Sequence, residues 1–349
     1  MGLIDFQSLP VAGNLAIFAV AAGLVWLAGG RLAGYADAVS ERTQMGQALI
    51  GMLLLGVATS LPEMVTTISG SILGNAPLVT GNLFGGVAMQ ITVLAVVDVI
   101  AVRGALTYVT PHPILLFQGV MLILMLAVAL AGAAIGEPLA YLGVGLTPLL
   151  LGAMYVLTLR AANSREYLPR WQPVDRNRHA VDEEMPDEPV AGTAGRLLWV
   201  RIALAAVVIM AAGAALTLTG DALAEQTGLG ASFVGVALVS ASTSLPELST
   251  TLESVRRGNV EMAVSNILGT NLLEVALFLL ADVTFRDGAI LAATERSGMF
   301  AGSLGLVVTG VLLLGLLQRR DRTVARMGID SLAILWIYGL GLVGLYFLR

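Results

Sequence analysis

The chain has 349 residues, of which 57% are hydrophobic and only 12% are charged, and its mean hydropathy is +0.85. A soluble domain of this size carries roughly twice that charged fraction, so the composition predicts a polytopic membrane protein embedded in a lipid bilayer. The chain has no cysteine, which excludes disulfides and thiol chemistry, and its net charge of −5 comes without the basic stripe typical of nucleic-acid binding.

Ten apolar runs are long enough to cross the roughly 30 Å hydrocarbon core as helices. In chain order they cover residues 11–34, 45–73, 76–101, 113–135, 139–159, 197–220, 231–255, 260–281, 297–317 and 331–348. A polar stretch at 160–196 separates the fifth run from the sixth and has the composition of a linker. We therefore predict an all-α membrane protein of ten transmembrane helices, with five helices in 1–159 and five in 197–349.

The basic residues predict how the chain is oriented in the membrane. All nineteen are arginine, and with ten spans sixteen of them fall on the side of the linker and three on the other. Because loops rich in basic residues remain in the cytoplasm, we expect a cytoplasmic linker, both termini outside, and a location in the inner (plasma) membrane of a prokaryote.

An internal repeat is the most informative feature of the sequence. Residues 46–98 align with 230–282 without a gap at an offset of 184, with fifteen identities in 53 positions. The identities concentrate on glycine and polar residues, whereas similarity of composition alone would match leucines. Since each half has an odd number of spans, the second copy is inserted upside down, and such inverted repeats with polar, broken helices are typical of secondary transporters.

Each repeat carries an acid in the middle of a span. The stretch GVATSLPEMVTT places Glu63 after Pro62, and SASTSLPELSTT places Glu247 after Pro246. A buried carboxylate in a membrane is costly and indicates a functional site, and each proline frees a carbonyl one turn earlier. The neighbouring hydroxyls belong to Thr59, Ser60, Thr243 and Ser244. Such an all-oxygen cluster suits hard cations such as Ca²⁺ and Na⁺.

A second polar helix follows each motif. Asn82 and Gln90 are eight residues apart and share a helix face, as do Asn266 and Glu274. The asparagines fit a ligand role or interhelical hydrogen bonding equally well, but Glu274 is a third intramembrane acid in a chain without lysine. We interpret Asp98 and Asp282 as structural, since they lie near span ends where water is within reach.

These motifs, TSLPE followed nineteen residues later by N..G and present twice, resemble the cation/calcium exchanger superfamily in its sodium/calcium exchanger branch. The resemblance implies that Glu63 and Glu247 are the central Ca²⁺ ligands. It implies Na⁺ sites lined by Thr59, Ser60, Thr243, Ser244 and the carbonyls of Gly56 and Ser240. It also places Gln90 and Glu274 at the last position of the second motif, each one methylene longer than usual.

The two halves differ where the family motif reads G-S-N. The second half keeps Gly269-Thr270-Asn271, whereas the first has Gly85-Gly86-Val87, so a hydroxyl and an amide are lost there. By the resemblance, this predicts a weakened or absent Na⁺ site nearest Gly86.

We predict an antiporter without a cofactor that exchanges Ca²⁺ for Na⁺ by alternating access. A proton-coupled or K⁺-linked cation/Ca²⁺ exchanger stays an alternative, as does a channel, which saturable counterflow would exclude. An intramembrane enzyme is disfavoured because the two histidines, His112 and His179, lie outside the repeats. The sequence indicates neither an oligomeric state nor a direction of transport.

Overall fold

The computed structural model describes residues 6–43, 45–102, 104–109, 112–138, 140–141, 143–163, 195–226, 244–324 and 327–348. Eleven helices carry the architecture of this part of the chain. They are α1 (Val11–Thr43), α2 (Gln47–Thr59), α3 (Leu61–Ile72), α4 (Ala76–Ala101), α5 (Pro113–Ile135), α6 (Leu146–Asn163), α7 (Gly195–Gln226), α8 (Leu245–Arg256), α9 (Val260–Thr284), α10 (Arg296–Gln318) and α11 (Ile329–Phe347). Within α2, Gly51–Leu55 is π-helical. Shorter turns lie at Phe6–Ser8, Leu106–Val109 and Ile290–Ala293.

The helices confirm the predicted membrane architecture. Eight of the described helices are long and apolar enough to cross a membrane, and the pair α2 and α3 makes a ninth span that is bent by 49°. The one remaining predicted span, 231–255, is the seventh in chain order. It begins outside the described residues, and α8 is its described part.

Two short β-hairpins are an addition to the expected all-helical fold. Strand β1 (Ala140–Tyr141) pairs with β2 (Val144–Gly145), and β3 (Thr323–Val324) pairs with β4 (Met327–Gly328). The first hairpin occupies the beginning of the span predicted at 139–159. Helix α6 therefore begins at Leu146, seven residues after the predicted start. A hydropathy window cannot separate two-residue strands from the helix that follows, because both are apolar.

Burial separates central helices from peripheral ones. In the most apolar 18-residue stretch of each span, 72% of α9 and 67% of α4 is buried inside the protein, against 17% for α6 and for α11. Helix α1 packs along α7 and against α8. The two motif helices, α4 and α9, therefore form the centre of the protein, and α6 and α11 lie at its periphery.

The Gly-Asn pairs shared by the two repeats have a conformational role. Gly74 and Gly258 adopt φ of +74° and +78° in the tight turns that lead into α4 and α9. A residue with a Cβ is strained in this left-handed region, so glycine is required at both turns. Asn75 then caps α4, its side chain accepting the amide of Leu78 at 3.2 Å.

Asp98 and Asp282 link the two halves to each other. Asp98 accepts the amides of Leu106 (2.8 Å) and Gly328 (2.9 Å), and Asp282 accepts those of Ile290 (2.7 Å) and Gly145 (2.6 Å). Their exposed fractions are 0% and 1%, so the expectation that these acids reach water is wrong. Backbone amides replace water as their hydrogen-bond partners. Each aspartate accepts one amide from the loop that follows its own helix and one from the β-hairpin of the other half.

Candidate cation-binding site

The break in the first polar span lies at the TSLPE motif. Helix α2 ends at Thr59, and Ser60 leaves the helical region with φ −82° and ψ 2° before α3 begins at Leu61. Pro62 has no amide with which to continue the hydrogen-bond ladder back to the carbonyl of Ala58. The predicted helix break is therefore confirmed in this half.

The second motif has the same local geometry. Ser244 has φ −86° and ψ 2°, and Pro246 stands in the first turn of α8. Glu63 and Glu247 consequently occupy equivalent positions in the first turns of α3 and α8. A helix N-terminus favours negative charge, so the break also places each carboxylate where the backbone partly offsets the cost of burying it.

Three glutamates meet in the interior. Glu63, Glu247 and Glu274 are 4%, 0% and 1% exposed, and both Glu247 and Glu274 lie close enough to Glu63 to repel its charge. Oε2 of Glu63, both carboxylate oxygens of Glu247 and Oε2 of Glu274 have no hydrogen-bond partner among the described residues. Buried carboxylates without a partner are destabilising unless they are protonated or bind a cation.

Three amide side chains on α4 and α9 are also buried. Asn271 is fully buried with neither side-chain polar atom partnered among the described residues, and the Oε1 of Gln90 is likewise buried and unpartnered. Asn266 donates to the hydroxyls of Thr250 (3.0 Å) and Thr251 (3.2 Å), which joins α9 to α8, and no described residue donates to its side-chain oxygen. Asn82, its equivalent in the first half, is only half-buried.

Several predicted hydroxyl ligands back-bond to their own helix. Thr59 donates to the carbonyl of Leu55 (3.0 Å) and lies beside the carboxyl of Glu247. Thr270 donates to the carbonyl of Asn266 (2.9 Å). Because the proton of each hydroxyl points into the helix, its oxygen lone pairs stay available to a cation.

The remaining predicted cation ligands are Gly56, Ser60, Ser244, Ser240 and Thr243. The carbonyl of Gly56 already accepts the amide (3.1 Å) and the hydroxyl (2.7 Å) of Ser60. Ser244 is buried at the start of α8. Ser240 and Thr243 lie outside the described residues. Within the described part of the chain no three acids or histidines close around one point to form a preformed metal cage, so the ligand roles of all these residues stay predictions.

Sequence reasoning missed Gln118 on α5. It is fully buried, and its amide donates to the hydroxyl of Ser265 at 2.8 Å on α9. The same nitrogen lies 3.4 Å from the sulfur of Met52 on α2. The position 184 residues later is Gly302, so the internal repeat does not point to Gln118. The one feature of the sequence that could have indicated it is an isolated glutamine in an apolar helix.

Comparison with known proteins identifies the family. The family model described as sodium/calcium exchanger protein matches residues 13–160 and 197–348. The chain belongs to this family. The resemblance found in the two TSLPE motifs is therefore confirmed. The family consists of transporters rather than enzymes, which agrees with the absence of catalytic histidines from the repeats.

Individual relatives of this exchanger family member are distant. The putative antiporter CaxA of Alkalimonas amylolytica is 24% identical over 306 residues, covering 86% of this chain and 89% of CaxA. The inner membrane protein YrbG of Escherichia coli K12 is 25% identical over 235 residues, covering 66% and 67%. The sodium-calcium exchanger NCX_Mj, in a crystal soaked with Na⁺ and Sr²⁺, superimposes with a TM-score of 0.69 at 16% identity over 96% of this chain and 99% of that one. The last likeness establishes the fold.

Proposed function

We propose that this protein is a secondary active antiporter that exchanges Ca²⁺ for Na⁺ at a site formed by Glu63, Glu247 and Glu274. The observation that carries the proposal is the group of three buried carboxylates, each with an oxygen that has no hydrogen-bond partner among the described residues. Membership of the sodium/calcium exchanger family and the name antiporter borne by CaxA support it.

The donor set fits hard cations. Carboxylates, amide oxygens and hydroxyl oxygens are the available ligands, and the chain has no cysteine. Ca²⁺ and Na⁺ prefer such oxygen ligands, whereas softer metals prefer thiolate or imidazole. One Ca²⁺ would neutralise two of the three carboxylates and several Na⁺ would neutralise the same charge, so the two ions would compete for one site.

The breaks at Ser60 and Ser244 suit alternating access. Inverted repeats place such a site between two equivalent elements, and rocking of one set of helices against the other opens it to each side in turn. We propose that α1 and α7, which pack along each other, move together against the motif helices.

A proton-coupled or K⁺-linked exchanger is the second candidate, and the first half of the site favours it. Gly86 and Val87 supply neither hydroxyl nor amide there, so a Na⁺ ion would find fewer ligands than in the second half. A proton needs only one carboxylate oxygen.

Uptake of ⁴⁵Ca²⁺ into proteoliposomes distinguishes the two candidates. We expect uptake to follow an outward Na⁺ gradient and to stop when K⁺ or choline replaces Na⁺, both with and without a protonophore that removes any pH gradient. Empty vesicles and vesicles with equal Na⁺ on both sides are the controls. Uptake that persists without Na⁺ and follows a pH or K⁺ gradient would support the second candidate instead.

We also propose the orientation deduced from the arginines, with the 160–196 linker between the two five-helix halves in the cytoplasm. The absence of cysteine makes this directly measurable. In whole cells, a cysteine placed at exposed Asp287 should react with an impermeant maleimide, whereas one at exposed Arg320, at the other end of α10, should react only after the membrane is permeabilised. The reverse pattern would show that the chain is inserted the other way round.

A further inference from the structure

Gly86 on α4 lies directly against the carboxylate of Glu274 on α9. A Cβ built on Gly86 would overlap Oε1 of Glu274 and would lie 2.7 Å from its Cδ and 2.9 Å from its Oε2. Glu274 is 1% exposed, and its Oε2 has no partner among the described residues. The acid therefore reaches from the second half of the protein into a space that exists because residue 86 has no side chain.

The internal repeat shows what normally fills this space. The residue equivalent to Gly86 in the second half is Thr270, and the residue equivalent to Glu274 in the first half is Gln90. Thr270 carries a buried hydroxyl that donates to the carbonyl of Asn266 at 2.9 Å. One half thus has a hydroxyl at this position, and the other has a glycine covered by a carboxylate from across the site.

The helices on both sides of Gly86 are closely packed. The rings of Phe84 and Phe278, one on α4 and one on α9, have centroids 4.7 Å apart. On its other side α4 is held by α10, where a Cβ on Gly305 would lie 3.2 Å from Cγ1 of Val87. Since both sides of α4 are packed, a side chain at residue 86 would displace the mobile end of Glu274 rather than the backbone.

We propose that Gly86 is a specificity-determining residue, which holds the Glu274 carboxylate at the first-half end of the cation site. There it takes the place of the missing hydroxyl, so that this end binds a divalent cation through a carboxylate. At equal distance a divalent cation gains about twice the Coulomb energy of a monovalent one from that charge. The inference rests on the proposed function, and it replaces the expectation of a merely weakened Na⁺ site near Gly86.

A double-mutant cycle tests the pair. Gly86→Ser adds a hydroxyl and pushes the carboxylate away, and Glu274→Asp shortens the acid so that it no longer reaches Gly86. Each single change should raise the Ca²⁺ concentration for half-maximal binding about tenfold, while the double variant should return to within about threefold of the wild type, because residues in contact are energetically coupled. Binding of ⁴⁵Ca²⁺ to purified protein is measured with and without competing Na⁺.

The matched control is Gly81→Ser. Gly81 lies on the same helix, a Cβ there would meet no atom of the described residues within 4 Å, and its equivalent in the second half is Ser265. This variant should bind Ca²⁺ as the wild type does. Equal affinity of Gly86→Ser and the wild type, or losses in the double variant that simply multiply, would overturn the proposal.

The thermal unfolding temperature of the same variants in ion-free buffer separates this inference from the proposed function. The steric coupling of Gly86 and Glu274 needs no ion, so Gly86→Ser should lower the unfolding temperature and Glu274→Asp should restore it. If that coupling appears while the wild type neither binds nor transports Ca²⁺, the proposed function is wrong and the steric pair stands, while its assignment to Ca²⁺ fails. If the wild type exchanges Ca²⁺ but no coupling appears in either measurement, the role of Gly86 is wrong.

Discussion

Replacement of Glu247 by glutamine is expected to abolish Ca²⁺ exchange. The carboxylate is fully buried, and neither oxygen has a partner among the described residues, so a cation would be its main source of compensation. Removing one partner of a buried ion pair costs about 3–5 kcal/mol, and about 1.4 kcal/mol is a factor of ten. Uptake of ⁴⁵Ca²⁺ into proteoliposomes should therefore fall at least about a hundredfold, and Glu63→Gln should behave in the same way.

The same substitution should leave the fold intact or make it more stable. Glutamine keeps the shape of the side chain, and it removes one of three carboxylates that repel each other in the interior. The thermal unfolding temperature of Glu247→Gln in ion-free buffer should therefore equal or exceed that of the wild type, while Ca²⁺ should no longer raise it. A loss of uptake that comes with unfolding would have a different cause.

Glu253→Gln is the matched control for this experiment. Glu253 lies on the same helix, α8, but its side chain is 28% exposed and pairs with Arg257 at 2.9 Å one turn away. Helical ion pairs one turn apart contribute about 0.3–0.5 kcal/mol, so uptake and stability should stay near the wild-type values. Exchange that survives in both Glu63→Gln and Glu247→Gln would contradict the proposed site.

The sequence predicted the parts of the site that follow from local rules. A proline in the middle of an apolar run removes one hydrogen bond of the helix whatever surrounds it, and here Glu63 lies in the first turn after Ser60. Because the motif is repeated, the same geometry is predicted for Glu247. Burial of both acids follows from their position in the middle of long apolar spans.

The rest depends on contacts between the halves, which have no signal along the chain. Asp98 was expected near water because it lies near the end of a span, yet it accepts the amide of Gly328, 230 residues later. The contact of Gly86 with Glu274 was likewise hidden, because a glycine motif does not indicate which side chain covers it. In both cases a residue of α4 contacts the second half of the chain, and that contact determines the surroundings of its side chain or backbone.

Gly269→Ala is a substitution outside the acids for which we expect a large effect. Gly269 on α9 faces α2, and a Cβ there would lie 2.5 Å from Cα of Met52 and 2.9 Å from its Cγ. Because the obstacle is backbone, the two helices would have to separate, and overpacking of this kind costs about 1–3 kcal/mol. The thermal unfolding temperature should fall, and Ca²⁺ uptake should fall with it.

The repeat provides the control, since Gly85 is the equivalent glycine of the first half and a Cβ there would meet no atom within 4 Å in the part of the chain that the structure describes. Gly85→Ala should therefore keep both stability and uptake, and equal behaviour of the two alanine variants would show that the close approach is not needed. The loss of uptake in Gly269→Ala has a specific cause. Helix α2 leads directly into the turn that presents Glu63, and α9 carries Glu274 five residues after Gly269. Separating these helices moves the two carboxylates apart, so the Ca²⁺ affinity of the protein that remains folded should fall as well.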